Sequence, residues 1–283
     1  MYQGRVQHTD NADVAPGGNK AYLTLGNGKR IDVDDKANGE LAMEHGVRIS
    51  KNAAGELMYE VLNNATAPAV LNSFETPRGG TFAVTLPDGT KVWLNAASKI
   101  SYLSNFASLK ERKITLVGEA YFEVAKRGIP FKVKSGDQEL EVLGTHFNVN
   151  AYQEDPEIRT TLFEGSLRLN SAGSPGPLLK PGERAVLQKS SFKVSLADEE
   201  AELAWINGKI VFNHEDLGSI MKRVSRWYDI DVKFEDGVEH VRFGGALSRD
   251  KKISSILNYF KETENVDYRI RDRKVTLYRK NKY

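Results

Sequence analysis

The sequence predicts a mainly β protein: an N-terminal antiparallel β-sandwich or elongated β-stack, then a small α+β domain in which strand, helix, strand occurs twice. Three observations carry that expectation. Short segments that alternate apolar and polar residues recur between turn signals up to about residue 196. Amphipathic helical stripes are found only after residue 204. Between the two regions lies an acidic run, Asp198-Glu-Glu-Ala-Glu202, where the composition changes from β to α+β. The expected organisation is therefore a linker over 1–15, an all-β domain over 16–197 and an α+β domain over 204–283, with the boundary in the acidic run, since boundaries favour exposed polar segments.

The first third holds an internal repeat. Pro16-Gly-Gly18, Leu23-Thr-Leu-Gly-Asn-Gly-Lys29 and Ile31-Asp-Val33 recur as Pro77-Arg-Gly79, Val84-Thr-Leu-Pro-Asp-Gly-Thr90 and Val92-Trp-Leu94, offset by 61 residues. Each copy reads as a hairpin. Asn27-Gly28 and Asp88-Gly89 sit between alternating apolar residues, and both dipeptides tolerate the positive φ of a tight turn. Strands follow at Lys113–Val117, Ala120–Val124, Phe131–Lys134, Leu140–Leu143, His146–Asn150, Thr160–Phe163, Ser166–Leu169, Arg184–Leu187 and Ser191–Val194, punctuated by Gly118, Gly128, Gly136, Gly144, Gly165 and Pro181-Gly182. Asn170-Ser-Ala-Gly-Ser-Pro-Gly-Pro177 reads as a flexible hairpin tip.

Two helices are expected in the last 80 residues. Leu217, Ile220, Met221, Val224, Trp227 and Tyr228 fall on one helical face, with Asn213 as N-cap, Glu215 and Asp216 in the first turn, and Arg223 and Arg226 near the end. Ile253, Ile256, Leu257 and Phe260 repeat the pattern, with Ser248 or Asp250 as cap and Asn265 as terminator. Stripes of this kind are core.

Composition bounds the function. The 283 residues are 40% hydrophobic and 28% charged, an ordinary globular balance, and a net charge of +2 gives no ground for a nucleic-acid partner. Without cysteine there is neither a disulfide framework nor a thiolate metal site. The histidines, at 8, 45, 146, 214 and 240, never fall two or four residues apart, so no metal site is expected; His146 reads as exposed or hydrogen-bonded. The start lacks the apolar run of a signal peptide, and no stretch of about 18 apolar residues could span a membrane. The polar opening, 1–18, reads like a linker leaving something upstream.

Little points to catalysis. Glu119 and Glu123 share one strand face beside Tyr121-Phe122, and glycosidases use carboxylate pairs, but solvated charges are the preferred reading. Gly-x-Ser-x-Gly is absent from any elbow context, and Pro77-Arg-Gly-Gly80 lacks the helix of a phosphate-binding loop. No enzyme activity and no cofactor are expected.

A family resemblance rests on ordered motifs. Thr76-Pro-Arg-Gly-Gly80, Leu86-Pro-Asp-Gly-Thr-Lys-Val-Trp-Leu-Asn-Ala-Ala-Ser98, Gly118-Glu-Ala-Tyr-Phe-Glu-Val124, Val142-Leu-Gly-Thr-His-Phe-Asn-Val149, Glu164-Gly-Ser166 and Leu179-Lys-Pro-Gly182 resemble the FecR family of membrane-bound regulators of extracytoplasmic-function sigma factors. Trp205 through Asp229-Ile-Asp231 is similar to the domain that ends such proteins in Bacteroidetes-type bacteria, and to the short signalling modules of secretins and TonB-dependent receptors. The resemblance implies a periplasmic part, tethered to the inner membrane in the full-length protein, that receives a signal from the signalling domain of an outer-membrane TonB-dependent transporter. The cytoplasmic sigma-binding segment and the membrane helix of the family are not in this chain, so contact with the sigma factor would be made elsewhere. A periplasmic carbohydrate-binding or assembly module without signalling role is the alternative.

The expected partner-binding residues are Arg269, Arg271, Arg273, Lys274 and Tyr278. Between Arg269 and Tyr283 seven basic side chains stand against one acid, Asp272. Such a patch beside an open strand edge would steer a partner's approach or accept an added strand; the other reading is an edge protected from aggregation by its charge. Val275 and Leu277 are expected to face the core, leaving Lys274, Thr276 and Tyr278 outward.

Overall fold

The computed structural model describes residues 13–33, 38–44, 47–53, 57–61, 70–104 and 109–280. The chain divides into two compact units, residues 18–207 and residues 208–283 together with the N-terminal segment up to Gly17.

The larger unit is a β-sandwich. One sheet runs in the order Arg30–Asp32, Tyr22–Thr24, Leu71–Thr76, Ser98–Leu103, Arg112–Glu123, Phe131–Ser135, Gln138–Val142, Leu167–Ser171, Ser174–Leu179. The other runs Gly39–Glu44, Val47–Lys51, Leu57–Val61, Gly80–Thr85, Lys91–Leu94, Arg112–Glu123, His146–Ala151, Ile158–Glu164, Glu183–Gln188, Ser191–Leu196. Pairing is antiparallel throughout both orders except Leu57–Val61 on Gly80–Thr85 and Arg112–Glu123 on Phe131–Ser135.

Arg112–Glu123 belongs to both sheets. Its first half pairs with Ser98–Leu103 and its second with Lys91–Leu94. The sequence separates these halves at Gly118; in the fold Gly118 bends a single strand, at φ 92°. No side chain fits there, because a Cβ would lie 2.7 Å from Ser98 Cα and 2.8 Å from Ala97 O. The bend brings the inner faces together. Phe122 stacks on Phe147 within its own sheet at 4.9 Å and meets Phe131 of the facing sheet at 6.2 Å, and Phe74 meets Phe82 across the sandwich at 5.5 Å.

Both copies of the repeat form the same hairpin. Gly28 N donates to Leu25 O at 2.8 Å and Leu25 N to Lys29 O at 3.0 Å; Gly89 N donates to Leu86 O at 2.9 Å and Leu86 N to Thr90 O at 2.8 Å. The Asx oxygen does the same work in each, accepting from Lys29 N or Thr90 N at 2.9 Å.

Other expectations are corrected. The tip read over 170–177 is a two-residue turn at Ala172-Gly173, and Ser174–Leu179 is a strand. Its two prolines are tolerated because it is the last strand of its sheet. The acidic run is exposed at Asp198, Glu199 and Glu200, but it is helix rather than loop. Glu199–Leu203 forms a short helix, α1, whose first turn is capped by Asp198, with Ala201 N donating to its Oδ1 at 3.2 Å. Glu202 accepts from Arg184 Nη1 at 3.0 Å, so α1 is held on the outer face of the second sheet.

The smaller unit holds helices α2 (Leu217–Tyr228) and α3 (Ile253–Thr263), an antiparallel pair Lys209–Asp216 with Arg242–Ser248, and a three-stranded sheet ordered Asp231–Phe234, Lys274–Arg279, Val266–Arg271. Its core contains both stripes expected from the sequence, joined by Phe212 and Phe243 against Phe260 at 6.0 and 4.7 Å. The helix starts are corrected. Asn213 and Glu215 lie in the strand Lys209–Asp216, where the pairing bulges between Phe212 and Glu215. Asp216 precedes α2 but makes no side-chain cap; its Oδ1 accepts from Arg242 Nε at 3.0 Å. Arg223 forks back onto Glu215 at 2.7 and 2.8 Å, which orders the bulge. Neither Ser248 nor Asp250 caps α3, and the helix ends at Thr263, before Asn265.

The cap of α3 comes instead from the N-terminal segment. Asp13 accepts from Ser254 N at 3.2 Å and from Ser254 Oγ at 2.6 Å, while Ile253 N donates to Val14 O at 3.0 Å, and Val14 is buried. Asp13 and Val14 are thus part of the smaller unit rather than linker; residues 1–12 of the expected linker lie outside the described residues.

A candidate partner-binding face

The basic residues near the C-terminus sit on a hairpin, Val266–Arg271 and Lys274–Arg279, turned by Asp272-Arg273 with φ of 47° and 61°. Alternation sends Val275 and Leu277 into the core and leaves Lys274, Thr276 and Tyr278 on the outer face. Register adds Arg271 opposite Lys274, Arg269 opposite Thr276 and Asp267 opposite Tyr278 on the hairpin, and Lys233 beside Thr276 across the parallel pair. Four of the five expected residues, Arg269, Arg271, Lys274 and Tyr278, therefore share one face.

The open edge beside the patch is that of Val266–Arg271, which carries Arg269 and Arg271. Lys274–Arg279 is the central strand, hydrogen-bonded on both sides, so it offers no open edge; the outer strands are Asp231–Phe234 and Val266–Arg271. The cause is a parallel pairing of Asp231–Phe234, distant in sequence, to the closing strand.

The charge on this face is also smaller than the local sequence count implies, because the fold brings acids to it. Arg269 lies 3.3 Å from Glu235, which also takes Lys233 at 2.9 Å. The Lys233 hydrogen bond, with the positive charges of Lys233 and Arg269, holds the Glu235 carboxyl below its usual range. Arg269 stands over the Tyr278 ring at 5.6 Å. Lys261 pairs with Asp267 at 2.9 Å. Burial pushes the Asp267 carboxyl up, but Lys261 and the Tyr268 amide outweigh it and hold the group below the ordinary value.

Arg273 has a different role from its neighbours. From the turn its Nε donates to Asp229 O at 2.9 Å and its Nη2 to Tyr228 O, the carbonyls at the end of α2, where Asp229 has φ 50°. A cation that satisfies the last carbonyls of a helix stabilises it. Arg273 thus holds α2 to the hairpin, while Arg271 and Lys274, both exposed, make no ion pair among the described residues.

The carboxylates considered for catalysis occupy another environment. Glu119 is buried rather than solvated, its two oxygens accepting from Asn95 Nδ2 at 2.7 Å and Asn148 Nδ2 at 3.1 Å. Burial pushes the nearby Glu202 carboxyl up, against the pull of Arg184. Sequence pattern gave no sign of the Glu119 burial, since Asn95 and Asn148 reach Glu119 from outside its own strand. Glu123 stands opposite Lys91 and His146, and His146 pairs with Glu164 at 3.3 Å. Among the described residues no group of three His, Asp or Glu side chains could hold a metal ion, and no helix is long and apolar enough to cross a membrane.

Comparisons with known proteins bear on both units. Residues 72–168 match the FecR protein family and residues 209–277 match the FecR C-terminal family. The chain is similar to two crystal structures of "a putative anti-sigma factor" from Parabacteroides distasonis. One, at 28% identity and a TM-score of 0.68, covers 74% of this chain and 99% of its own. The other, at 27% identity and a TM-score of 0.67, covers 73% and 98%. No curated protein matches. The ordered motifs of the sandwich, the strand–helix–strand module behind them and the two family matches agree: the chain belongs to the FecR family.

Proposed function

We propose that this chain is the periplasmic, signal-receiving part of a sigma-factor regulator, and that it takes its signal from the signalling domain of an outer-membrane TonB-dependent transporter. The full-length protein would be tethered to the inner membrane and would reach its cytoplasmic extracytoplasmic-function sigma factor through a segment not in this chain. The reading is regulatory rather than enzymatic, and the family match and the anti-sigma relatives support it. The observation that carries the contact itself is the outer face of the three-stranded sheet, where Arg271 and Lys274 stand opposite each other beside Arg269 and Tyr278. Exposed cations of this kind act on encounter rate more than on affinity.

The test is the association rate with the transporter's signalling domain for the double variant Arg271→Glu, Lys274→Glu. A fall of about tenfold at low salt, shrinking as salt rises, is expected. An unchanged rate with the fold intact would move the contact off this face.

A second reading has one observation in its favour. On the outer face of the second sheet Trp93, Tyr121 and Phe163 lie ring to ring at 5.5 and 5.8 Å, an aromatic surface of the kind sugars stack on. Glycan binding lost in Trp93→Ala, with no transporter contact, would favour the carbohydrate-binding alternative.

A further inference from the structure

The strand Ser191–Leu196 ends the second sheet of the sandwich, and among the described residues it pairs with Glu183–Gln188 alone. Its alternate residues Phe192, Val194 and Leu196 stand opposite Leu187, Ala185 and Glu183, on the side of the sheet that faces the core. Phe192 covers Gly176 of the facing sheet. Beyond it the facing sheet has ended, and Val194 and Leu196 are 40% and 82% exposed. The strand has no proline and a single charge, Lys193. Edges are ordinarily blocked by such devices, and this one is almost bare.

The backbone of this edge has a definite phase. The turn Lys189-Ser190, with φ of 47° and 63°, makes Gln188 and Ser191 the closing pair of a two-residue hairpin, and Ala197 N donates to Gly182 O at 2.8 Å. Hydrogen-bonded pairs alternate along an antiparallel ladder, so Ser191, Lys193 and Ser195 direct their N–H and C=O groups inward to Glu183–Gln188. Those of Phe192, Val194 and Leu196 point to the free edge, and two of these residues, Val194 and Leu196, carry exposed apolar side chains.

We propose that this edge pairs antiparallel with the same edge of a second copy of the chain, about a two-fold axis at Val194. Four alignments that overlap three residues or more keep the free backbone groups facing and the apolar sides together; the one that sets Phe192 against its own counterpart overlaps only residues 191–193. A second sets Phe192 against Val194 of the second copy and puts Lys193 against its own counterpart, a like-charge pair that destabilises. Another sets Val194 against Leu196 and overlaps only residues 194–196. The alignment centred on Val194 sets Phe192 against Leu196 at both ends and Lys193 against Ser195, with no opposed charges. That patch is self-complementary, as an isologous two-fold contact requires.

The absence of cysteine gives a clean test. Hydrogen-bonded antiparallel partners have Cα atoms about 5.5 Å apart, within the range a disulfide spans. In the 283-residue chain Val194→Cys is expected to oxidise to a covalent dimer at least about tenfold faster than Leu71→Cys, an exposed thiol on another strand. Light scattering across a concentration series should show the mass rising from 31.6 kDa toward twice that value. The variant Val194→Lys, Leu196→Lys changes only exposed side chains and should stay monomeric with its circular dichroism unchanged. A monomer at every concentration with no preference for Cys at 194 would overturn the proposal. So would a dimer that survives the double lysine variant, because the copies would then meet elsewhere.

Discussion

Asp13 and Ser254 are separated by 241 residues and joined by two hydrogen bonds, one of them 2.6 Å long. Together with Val14 O they satisfy the first two amides of α3, which the helix cannot satisfy itself and which no neighbour in sequence serves. Asp13→Ala should therefore destabilise the smaller unit by about 1 kcal/mol, the usual loss for a capping carboxylate. Ser254→Ala should cost a similar amount, and the double variant less than the sum, because both remove one interaction. Strict additivity in thermal unfolding would show that the two side chains are not coupled.

Arg112 and Asp88 form the most enclosed ion pair among the described residues of the sandwich, 2.7 Å apart and each 1% exposed. Arg112 also donates to Ala125 O at 2.9 Å and Ile129 O at 2.6 Å, and Asp88 holds its own turn through Thr90. The arginine thus ties the second repeat hairpin to the strand that crosses between sheets. Removing one partner leaves the other buried and unpaired, which costs about 3–5 kcal/mol. Asp88→Ala should lower the unfolding free energy of the sandwich by that much, measured by denaturant titration. A loss under about 1 kcal/mol, typical of an exposed pair, would contradict this account.

Gly118→Ala tests the bend. The φ of 92° disfavours any side chain, and the added Cβ would meet the Ser98 side chain and backbone. The left-handed backbone alone costs about 1–2 kcal/mol, and the clash adds to it. Gly128→Ala, also at positive φ but with open space around it, should cost less. Equal losses in the two would assign the effect to backbone alone.

Much of this fold is legible in the sequence, for local reasons. Asn27-Gly28 and Asp88-Gly89 specify their turns within four residues, and the stripes at 217–228 and 253–260 specify helix faces by period alone. What stays hidden is long-range. Gly118 carries the mark of a break and is a bend, because both flanking segments keep their pairing. Asp231–Phe234 pairs in parallel with Lys274–Arg279, which makes the closing strand the centre of a sheet. Glu119 looks like a surface charge until the fold buries it with Asn95 and Asn148 at its carboxylate. The basic face is legible as a cluster, but which of its members are paired depends on Asp229, Glu235 and Asp267, placed by tertiary structure.

Tyr228 gives the smaller unit a pH limit. Burial pushes its hydroxyl from 10.0 up to about 12, and the hydroxyl donates to Lys251 O at 2.6 Å. In the unfolded chain the group ionises first, so above its ordinary value the unfolded state binds fewer protons and stability falls as pH rises. The contribution is complete below pH 10 and is lost toward about 12. Tyr228→Phe should lose about 1 kcal/mol at neutral pH, from the missing hydrogen bond, and should fall less steeply in alkali. Parallel stability curves for the two proteins above pH 10 would refute the assignment.

The basic face should separate into two kinds of arginine. Arg273 donates to Tyr228 O and Asp229 O at the end of α2, so its guanidinium works inside the fold, whereas Arg271 and Lys274 are exposed on the outer face. Arg273→Ala should lower the stability of the smaller unit by about 1–3 kcal/mol, the cost of losing a charged hydrogen-bond donor. It should leave the salt dependence of transporter-domain association nearly unchanged, because Asp229 already offsets its charge at 3.5 Å. Arg271→Ala and Lys274→Ala should do the reverse, with stability within about 0.5 kcal/mol of the parent and a shallower decline of association rate with salt. The pair of measurements, hydrogen exchange in α2 and association rate against ionic strength, distinguishes them. If Arg273→Ala flattens the salt dependence as much as Arg271→Ala does, the turn itself meets the partner and the division fails.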